Sequence, residues 1–118
     1  MKDNQKYDIL RFSSFEKINI KKDNVEGILQ TIKRIFLNGI ENPDYMEDGY
    51  YVRKASDVLK CIPIVGQSQQ ESIKNKAEIE QEDQSEGWLT AYILKNNKIC
   101  CTIGYRKIQK PVDNYISL

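Results

Sequence analysis

Residues 88–107 decide the fold, and they read WLTAYILKNNKICCTIGYRK. Two runs rich in β-branched and aromatic residues flank the tetrad Lys95-Asn96-Asn97-Lys98. Asparagine tolerates the positive φ that a tight turn requires, so Asn96 and Asn97 favour a two-residue hairpin turn. The pattern therefore predicts a β-hairpin in which Leu94 pairs with Ile99.

This register assigns the side chains of the hairpin to two faces, because successive side chains of a strand alternate. One face is expected to carry Trp88, Tyr92, Leu94, Ile99, Cys101, Ile103 and Tyr105. The other is expected to carry Leu89, Ala91, Ile93, Cys100, Thr102 and Gly104. A slip of one residue would exchange the faces, so the apolar pattern should specify the register.

Length and composition indicate one soluble globular domain. The chain has 118 residues, with 40% hydrophobic and 30% charged side chains. We divide it into an N-terminal extension (1–23), a core (24–107) and a C-terminal tail (108–118). No apolar run approaches the roughly 20 residues of a membrane span, and the first residues have no apolar segment typical of a signal peptide. We therefore expect a cytoplasmic protein with no membrane partner.

The residue types argue against most enzyme chemistry. The chain has no histidine, which is the commonest general base and zinc ligand. Of the three cysteines, Cys61 stands alone, and Cys100 and Cys101 are neighbours expected to point to opposite faces of a strand. The acidic pairs Glu47-Asp48 and Glu82-Asp83 are typical of solvated surfaces. We expect reduced structural thiols, no catalytic residue, no metal site and no cofactor.

The clearest helix is predicted at residues 24–38. Its apolar positions recur every three or four residues: Val25, Ile28, Leu29, Ile32, Ile35 and Phe36. Asp23 and Glu26 form a candidate capping box, and Gly39 is expected to supply a left-handed C-terminal stop. Residues 7–20 predict one irregular strand or a short hairpin that turns at Ser13-Ser14.

The middle of the chain leaves alternatives open. Residues 50–53 predict a short strand, and residues 56–62 a brief helix that Ser56 caps and Pro63 ends, with a strand at 58–65 as the alternative. Ser68 and Glu71 repeat the capping-box pattern, and residues 68–82 have helical propensity. Only Ile73, Ala77 and Ile79 are apolar there, so a solvated loop is an equal alternative.

Charge is unevenly distributed along the chain. The net charge is +3 for residues 1–34, −2 for 35–66, −4 for 67–87 and +4 for 88–118, which totals +1. A nearly neutral total argues against indiscriminate binding of polyanions, while the basic ends allow a local basic face.

The order of predicted elements resembles the winged helix-turn-helix superfamily. Residues 24–107 would run helix, strand, helix, helix and hairpin, and Ser85-Glu86-Gly87-Trp88-Leu89 is similar to the entry of a wing. The fold class is then α+β, a small winged-helix-like domain with an antiparallel C-terminal hairpin. The alternative is an α+β antiparallel sheet with one packed helix.

The resemblance implies a double-stranded DNA partner and a role in transcription regulation or as an accessory factor. It also allows a homodimer formed through the terminal segments. The implied recognition-helix residues are Gln69, Gln70, Lys74, Asn75 and Lys76. The implied wing and phosphate contacts are Lys95, Asn96, Asn97, Lys98, Arg106, Lys107 and Lys110.

The second hypothesis is a protein-binding module, similar to an inhibitor or immunity protein, that uses the acidic segment 67–87. The conformation of that segment separates the hypotheses. An ordered helix packed near 56–62 favours DNA binding, and a loop favours a protein partner. An enzyme ranks third.

Overall fold

Two α-helices and four strands make up the described part of the chain, residues 6–15 and 27–108, in a computed structural model. The elements are β1 (Tyr7–Ser14), α1 (Gly27–Gly39), β2 (Tyr51–Lys54), α2 (Gln69–Ser85), β3 (Leu89–Lys95) and β4 (Lys98–Lys107). All four strands form one antiparallel sheet in the order β1-β4-β3-β2. This is the expected α+β class with an antiparallel C-terminal hairpin.

The hairpin forms in the predicted register. Leu94 pairs with Ile99, and Lys95 pairs with Lys98. The turn residues Asn96 and Asn97 have φ values of 54° and 61°. Both lie in the left-handed region, which asparagine occupies more readily than most residues.

A β-bulge in β4 overturns part of the predicted face assignment. Leu94 pairs with Ile99 but Ile93 pairs with Cys101, so Cys100 is the extra residue of β4 at this point. The extra residue reverses the alternation beyond it. Cys101, Ile103 and Tyr105 therefore share a face with Leu89, Ala91 and Ile93, while Thr102 and Gly104 share one with Tyr92. Cys100 and Cys101 also pack in the same core cluster, so the prediction that they point to opposite faces was wrong.

A second bulge, in β1, moves the Arg11 side chain to the other face of the sheet. Ile9 pairs with Tyr105 and Arg11 with Gly104, so Leu10 is the extra residue in β1. Without this bulge, Arg11 would follow Tyr7 and Ile9 onto the face covered by α1. With it, Arg11 lies on the opposite face, the one that α2 covers. The predicted irregular strand is thus confirmed for residues 7–14, and residues 16–20 lie outside the description.

The α1 helix covers one face of the sheet and completes the main hydrophobic core. Its buried residues Ile32, Ile35 and Phe36 pack against the sheet residues of that face. Leu29, which was expected in this core, is 47% exposed. The expected capping box at Asp23 and Glu26 lies outside the described residues, as does Val25.

Gly39 is the last residue of α1, but it does not act as the predicted left-handed stop. It is not among the residues with positive φ. A Cβ at this position would lie 2.7 Å from Cγ1 of Val52. The glycine therefore permits the close approach of α1 to β2.

The α2 helix lies on the other face of the sheet, and its start matches the predicted capping box. The Ser68 side chain accepts a hydrogen bond from Glu71 N, and the Glu71 carboxylate accepts one from Ser68 N. The helix predicted at 56–62 is not formed. Only the 3₁₀ turn Ala55–Asp57 is present, because the chain then turns back toward Ile64, which bridges to Ile99.

Candidate functional site: the α2 surface and the two ends of the sheet

The face of α2 that contacts the sheet is polar. Ser72, Lys76 and Asp83 are buried on the helix, whereas Ile73 is 39% exposed and Ala77 is exposed. Amphipathic helices ordinarily bury their apolar residues. Here the helix is held to the rest of the domain by hydrogen bonds. This explains why its few apolar residues did not clearly predict a packed helix.

Asp83 forms the centre of a buried polar network. It is 1% exposed, and its carboxylate accepts hydrogen bonds from Arg11 Nε at 2.7 Å and from Arg11 Nη2 at 2.7 Å. Thr90 Oγ1 donates to the same carboxylate at 2.6 Å, and Arg11 Nη2 donates to Thr102 Oγ1 at 3.0 Å. The carboxylate is thus paired and satisfied, as a buried charge requires.

Gly104 provides the space for this ion pair. A Cβ at Gly104 would lie 3.0 Å from Asp83 Oδ1 and 3.2 Å from Arg11 Nε. The bulges at Leu10 and Cys100 bring Arg11 and Gly104 to this face together. Neither bulge leaves a pattern of residue types that sequence reasoning can recognise, so the network was missed.

Lys76 and Ser72 fasten α2 to the loop before it. Lys76 Nζ donates to the carbonyl oxygens of Leu59 at 3.2 Å, Lys60 at 3.1 Å and Ile62 at 2.6 Å. Ser72 Oγ accepts from Ile64 N at 2.8 Å. Burial lowers the pKa of the Lys76 ammonium, partly offset by the nearby Glu80 carboxylate. The ammonium is used inside the protein and is not presented to a partner.

Tyr92 extends the polar contacts along the helix. Its ring is fully buried, and its hydroxyl donates to Glu80 Oε2 at 2.8 Å. Burial and the hydrogen bond to Glu80 raise the pKa of this tyrosine well above its ordinary value. Glu80 therefore serves the attachment of α2 and contributes less to its outer charge than the other glutamates.

The outer surface of α2 carries a line of carboxylates, which we call the acidic stripe: Glu71, Glu78 and Glu82. All three are exposed, and they are seven and four residues apart. At 3.6 residues per turn they lie within about 40° of one another around the helix axis. The exposed Glu86 at the C-cap continues the stripe, and Lys74 is the exposed basic residue of the helix.

The implied recognition residues have different positions on α2. Gln69, Gln70 and Lys74 are exposed, whereas Asn75 is half-buried and donates to Gln67 Oε1 at 2.8 Å. Lys76 is 6% exposed and hydrogen-bonded as described above. The structure thus leaves three of these five side chains on the surface.

The hairpin tip is partly engaged in contacts within the domain. Lys95 Nζ lies 4.7 Å from the centroid of the Tyr50 ring, a cation–π contact. Asn97 Oδ1 accepts a hydrogen bond from the Tyr51 hydroxyl at 2.9 Å. Asn96 and Lys98 are exposed and remain available to a partner.

Arg106 and Lys107 lie at the other end of β4. Lys98 and Lys107 are nine positions apart, which corresponds to about 30 Å along a strand. Arg106 Nη2 lies 3.8 Å from Asp8 Oδ2, and Lys107 is exposed. The implied nucleic-acid residues are therefore divided between two ends of the sheet. Lys110 lies outside the described residues.

The acidic pair at 47–48 contributes contacts within the domain through Glu47. Glu47 is ion-paired with Arg34 and accepts a hydrogen bond from the Tyr45 hydroxyl at 2.9 Å. Within residues 6–15 and 27–108, no three acidic or cysteine side chains are grouped closely enough to hold a metal ion. None of the helices in that part of the chain is long and apolar enough to span a membrane.

Comparison of this chain with protein-family models, with curated proteins and with solved structures finds no match. Function is therefore inferred from the surfaces of the molecule itself.

Proposed function

We propose that this domain is a protein-binding module and that the acidic stripe docks on a basic surface of its partner. The observation that carries the proposal is the stripe itself, in which Glu71, Glu78 and Glu82 are exposed along one line of α2. Complementary charge steers association and selects among partners, and like charge repels nucleic acid.

The buried contacts of α2 support this role. Asp83, Lys76 and Ser72 hold the helix at three places along its length, so the stripe is presented on a rigid element. A preorganised surface loses little conformational entropy when it binds. The small number of apolar residues in this segment made a loop an equal alternative to a helix. Polar contacts hold the helix in place instead.

Duplex DNA is the second candidate, and two observations favour it. Val65 N donates to Ile99 O at 2.9 Å, and Ile99 N donates to Pro63 O at 2.9 Å. These bonds place the start of α2 beside the hairpin tip, so Gln69, Gln70 and Lys98 lie toward one end of the domain. An ordered α2 packed near residues 56–62 is also what the DNA hypothesis expects, and Lys76 attaches α2 to the carbonyl groups of Leu59, Lys60 and Ile62. The acidic stripe and the missing helix at 56–62 favour the protein partner.

The test compares charge variants that differ only in position. Glu78→Gln/Glu82→Gln removes two charges from the stripe, and Asp44→Asn/Asp48→Asn removes two exposed charges away from α2. Each variant is immobilised, and the proteins that it captures from cell extract are quantified by mass spectrometry. The wild type and the Asp44/Asp48 variant should retain a set of basic proteins that the Glu78/Glu82 variant loses.

The strongest captured protein is then purified and titrated against all three forms. We expect the Glu78/Glu82 variant to weaken binding by about tenfold, and the loss should shrink at high salt because it is electrostatic. Equal affinity for all three forms would contradict the proposal. In parallel, anisotropy of a labelled duplex is measured at two salt concentrations. Binding that Lys74→Ala/Lys98→Ala weakens, with a salt slope lower by roughly two, would support DNA instead.

A further inference from the structure

A groove of about 430 Å³ lies at the end of the sheet opposite the hairpin tip. This volume falls within the range of roughly 300–1,000 Å³ typical of small-molecule sites. The register explains its position, because Tyr7 pairs with Lys107, Leu89 with Tyr105, and Lys54 with Ala91 near the same end. β2 ends at Lys54, and the next two residues, Ala55 and Ser56 of the 3₁₀ turn, also line the groove.

The groove combines positive charge with an aromatic wall. Lys54 and Lys107 both line it and are exposed, and neither lies within 4.0 Å of a described carboxylate oxygen. An acidic influence on Lys107 comes from Glu41, whose pKa is lowered by the Tyr7 hydroxyl, by Lys6 and also by Lys107. Trp88 is half-buried in the wall, and Leu89 beside it is 54% exposed. The carboxylate that lines the groove, Glu80, is occupied by the Tyr92 hydroxyl.

We propose that this groove binds a nucleoside phosphate, with the base against Trp88 and the phosphate between Lys54 and Lys107. Indole faces stack on bases of any sequence, and lysine ammonium groups bind phosphate oxygens. The Ser56 hydroxyl and the Gln84 amide also line the groove, and they supply donors and an acceptor for the polar edge of the base.

A second groove continues the site along the same end. Its lining includes Asp8, Arg106, Lys107 and Leu89, so the two grooves share Lys107 and Leu89. Arg106 faces the Asp8 carboxylate there, at 3.8 Å. A base with a phosphate can come from a free nucleotide or from one nucleotide of a single strand. The experiment therefore includes both forms. Glu80 and Gln84 bring the groove next to the C-terminal end of α2, but none of the residues of the acidic stripe lines it. The groove proposal therefore does not depend on the protein-binding proposal.

Trp88 is the chain's single tryptophan and reports directly on the groove. Its fluorescence, excited at the red edge of indole absorption, is followed during titration with adenosine monophosphate at low salt. We expect saturable quenching. Adenosine without phosphate should bind at least about tenfold more weakly, because it lacks the charge that the lysines recognise.

Variants locate the binding. Lys54→Ala/Lys107→Ala should weaken adenosine monophosphate binding by about tenfold or more, while Lys33→Ala/Lys60→Ala, which removes two exposed charges elsewhere, should bind like the wild type. Trp88→Phe, followed by calorimetry, should retain weakened binding. The absence of saturable quenching, or equal weakening in both lysine variants, would overturn the proposal.

A short single-stranded oligonucleotide separates the two sources of the ligand. If it binds more tightly than the mononucleotide and Arg106→Ala reduces the difference, the site holds one residue of a strand. If both bind equally, the site holds a free nucleotide. Either result supports the groove if Lys54→Ala/Lys107→Ala weakens the binding. Binding that this variant leaves unchanged refutes the proposal.

Discussion

Replacement of Asp83 by Asn should destabilise the domain strongly, because it breaks the ion pair that attaches α2 to the sheet. The carboxylate accepts three hydrogen bonds, at 2.7, 2.7 and 2.6 Å. Hydrogen bonds to charged groups contribute about 1.5–3 kcal/mol each. The asparagine amide can accept only some of these three hydrogen bonds, and its NH₂ group would point a donor at the Arg11 guanidinium, which is itself a donor. Loss of one partner of a buried pair costs about 3–5 kcal/mol.

Partial exposure of Arg11 places the expected value toward the lower end. Its side chain is 24% exposed, so the unpaired guanidinium regains some water. We therefore expect a loss of about 3 kcal/mol in a urea titration with an unchanged m-value. A cycle with Arg11→Met should show coupling between the two positions, and the exposed Asp44→Asn should change stability by less than about 0.5 kcal/mol. A loss below about 1 kcal/mol for Asp83→Asn would refute the reasoning.

Three further predictions concern the core, the tyrosines and the thiols. Ile32→Ala should cost roughly 2–5 kcal/mol in a denaturant titration, because Ile32 is 1% exposed, and a loss far smaller would show that α1 does not close the core. Above the ordinary tyrosine pKa of 10.0, stability should fall as pH rises, since the raised pKa of buried Tyr92 keeps its proton bound in the folded state. Tyr92→Phe should reduce this slope by up to about 1.4 kcal/mol per pH unit, and an unchanged slope in alkaline melts would contradict it. A thiol reagent should modify Cys61 quickly and the two buried cysteines only on unfolding; rapid modification of all three would place the buried pair at the surface.

Local sequence signals predicted the parts of the fold that depend on local chemistry. Asn96 and Asn97 specified the turn and hence the Leu94–Ile99 pair, and Ser68 with Glu71 specified the start of α2. These motifs act within a few residues, so the sequence displays them directly.

Features that depend on distant partners were predicted poorly. The bulge at Cys100 reversed the faces of β4, and no residue type marked it. Asp83 on the buried face of α2 forms hydrogen bonds with Arg11 and Thr90. Arg11 is far from α2 in the sequence, and Thr90 lies in the strand after it. Hydrophobic periodicity cannot detect a helix that is attached through polar side chains. For this reason the acidic residues of segment 67–87 could not be sorted into buried Asp83 and the exposed stripe.

Amide hydrogen exchange of the domain with and without its captured partner tests the central claim most directly. Because opening of α2 is required for its amides to exchange, a partner on the acidic stripe should slow exchange along Gln69–Ser85 and leave the hairpin tip unchanged. The slowing should disappear in the Glu78→Gln/Glu82→Gln variant. Protection confined to residues 95–98, with α2 unaffected, would contradict the account.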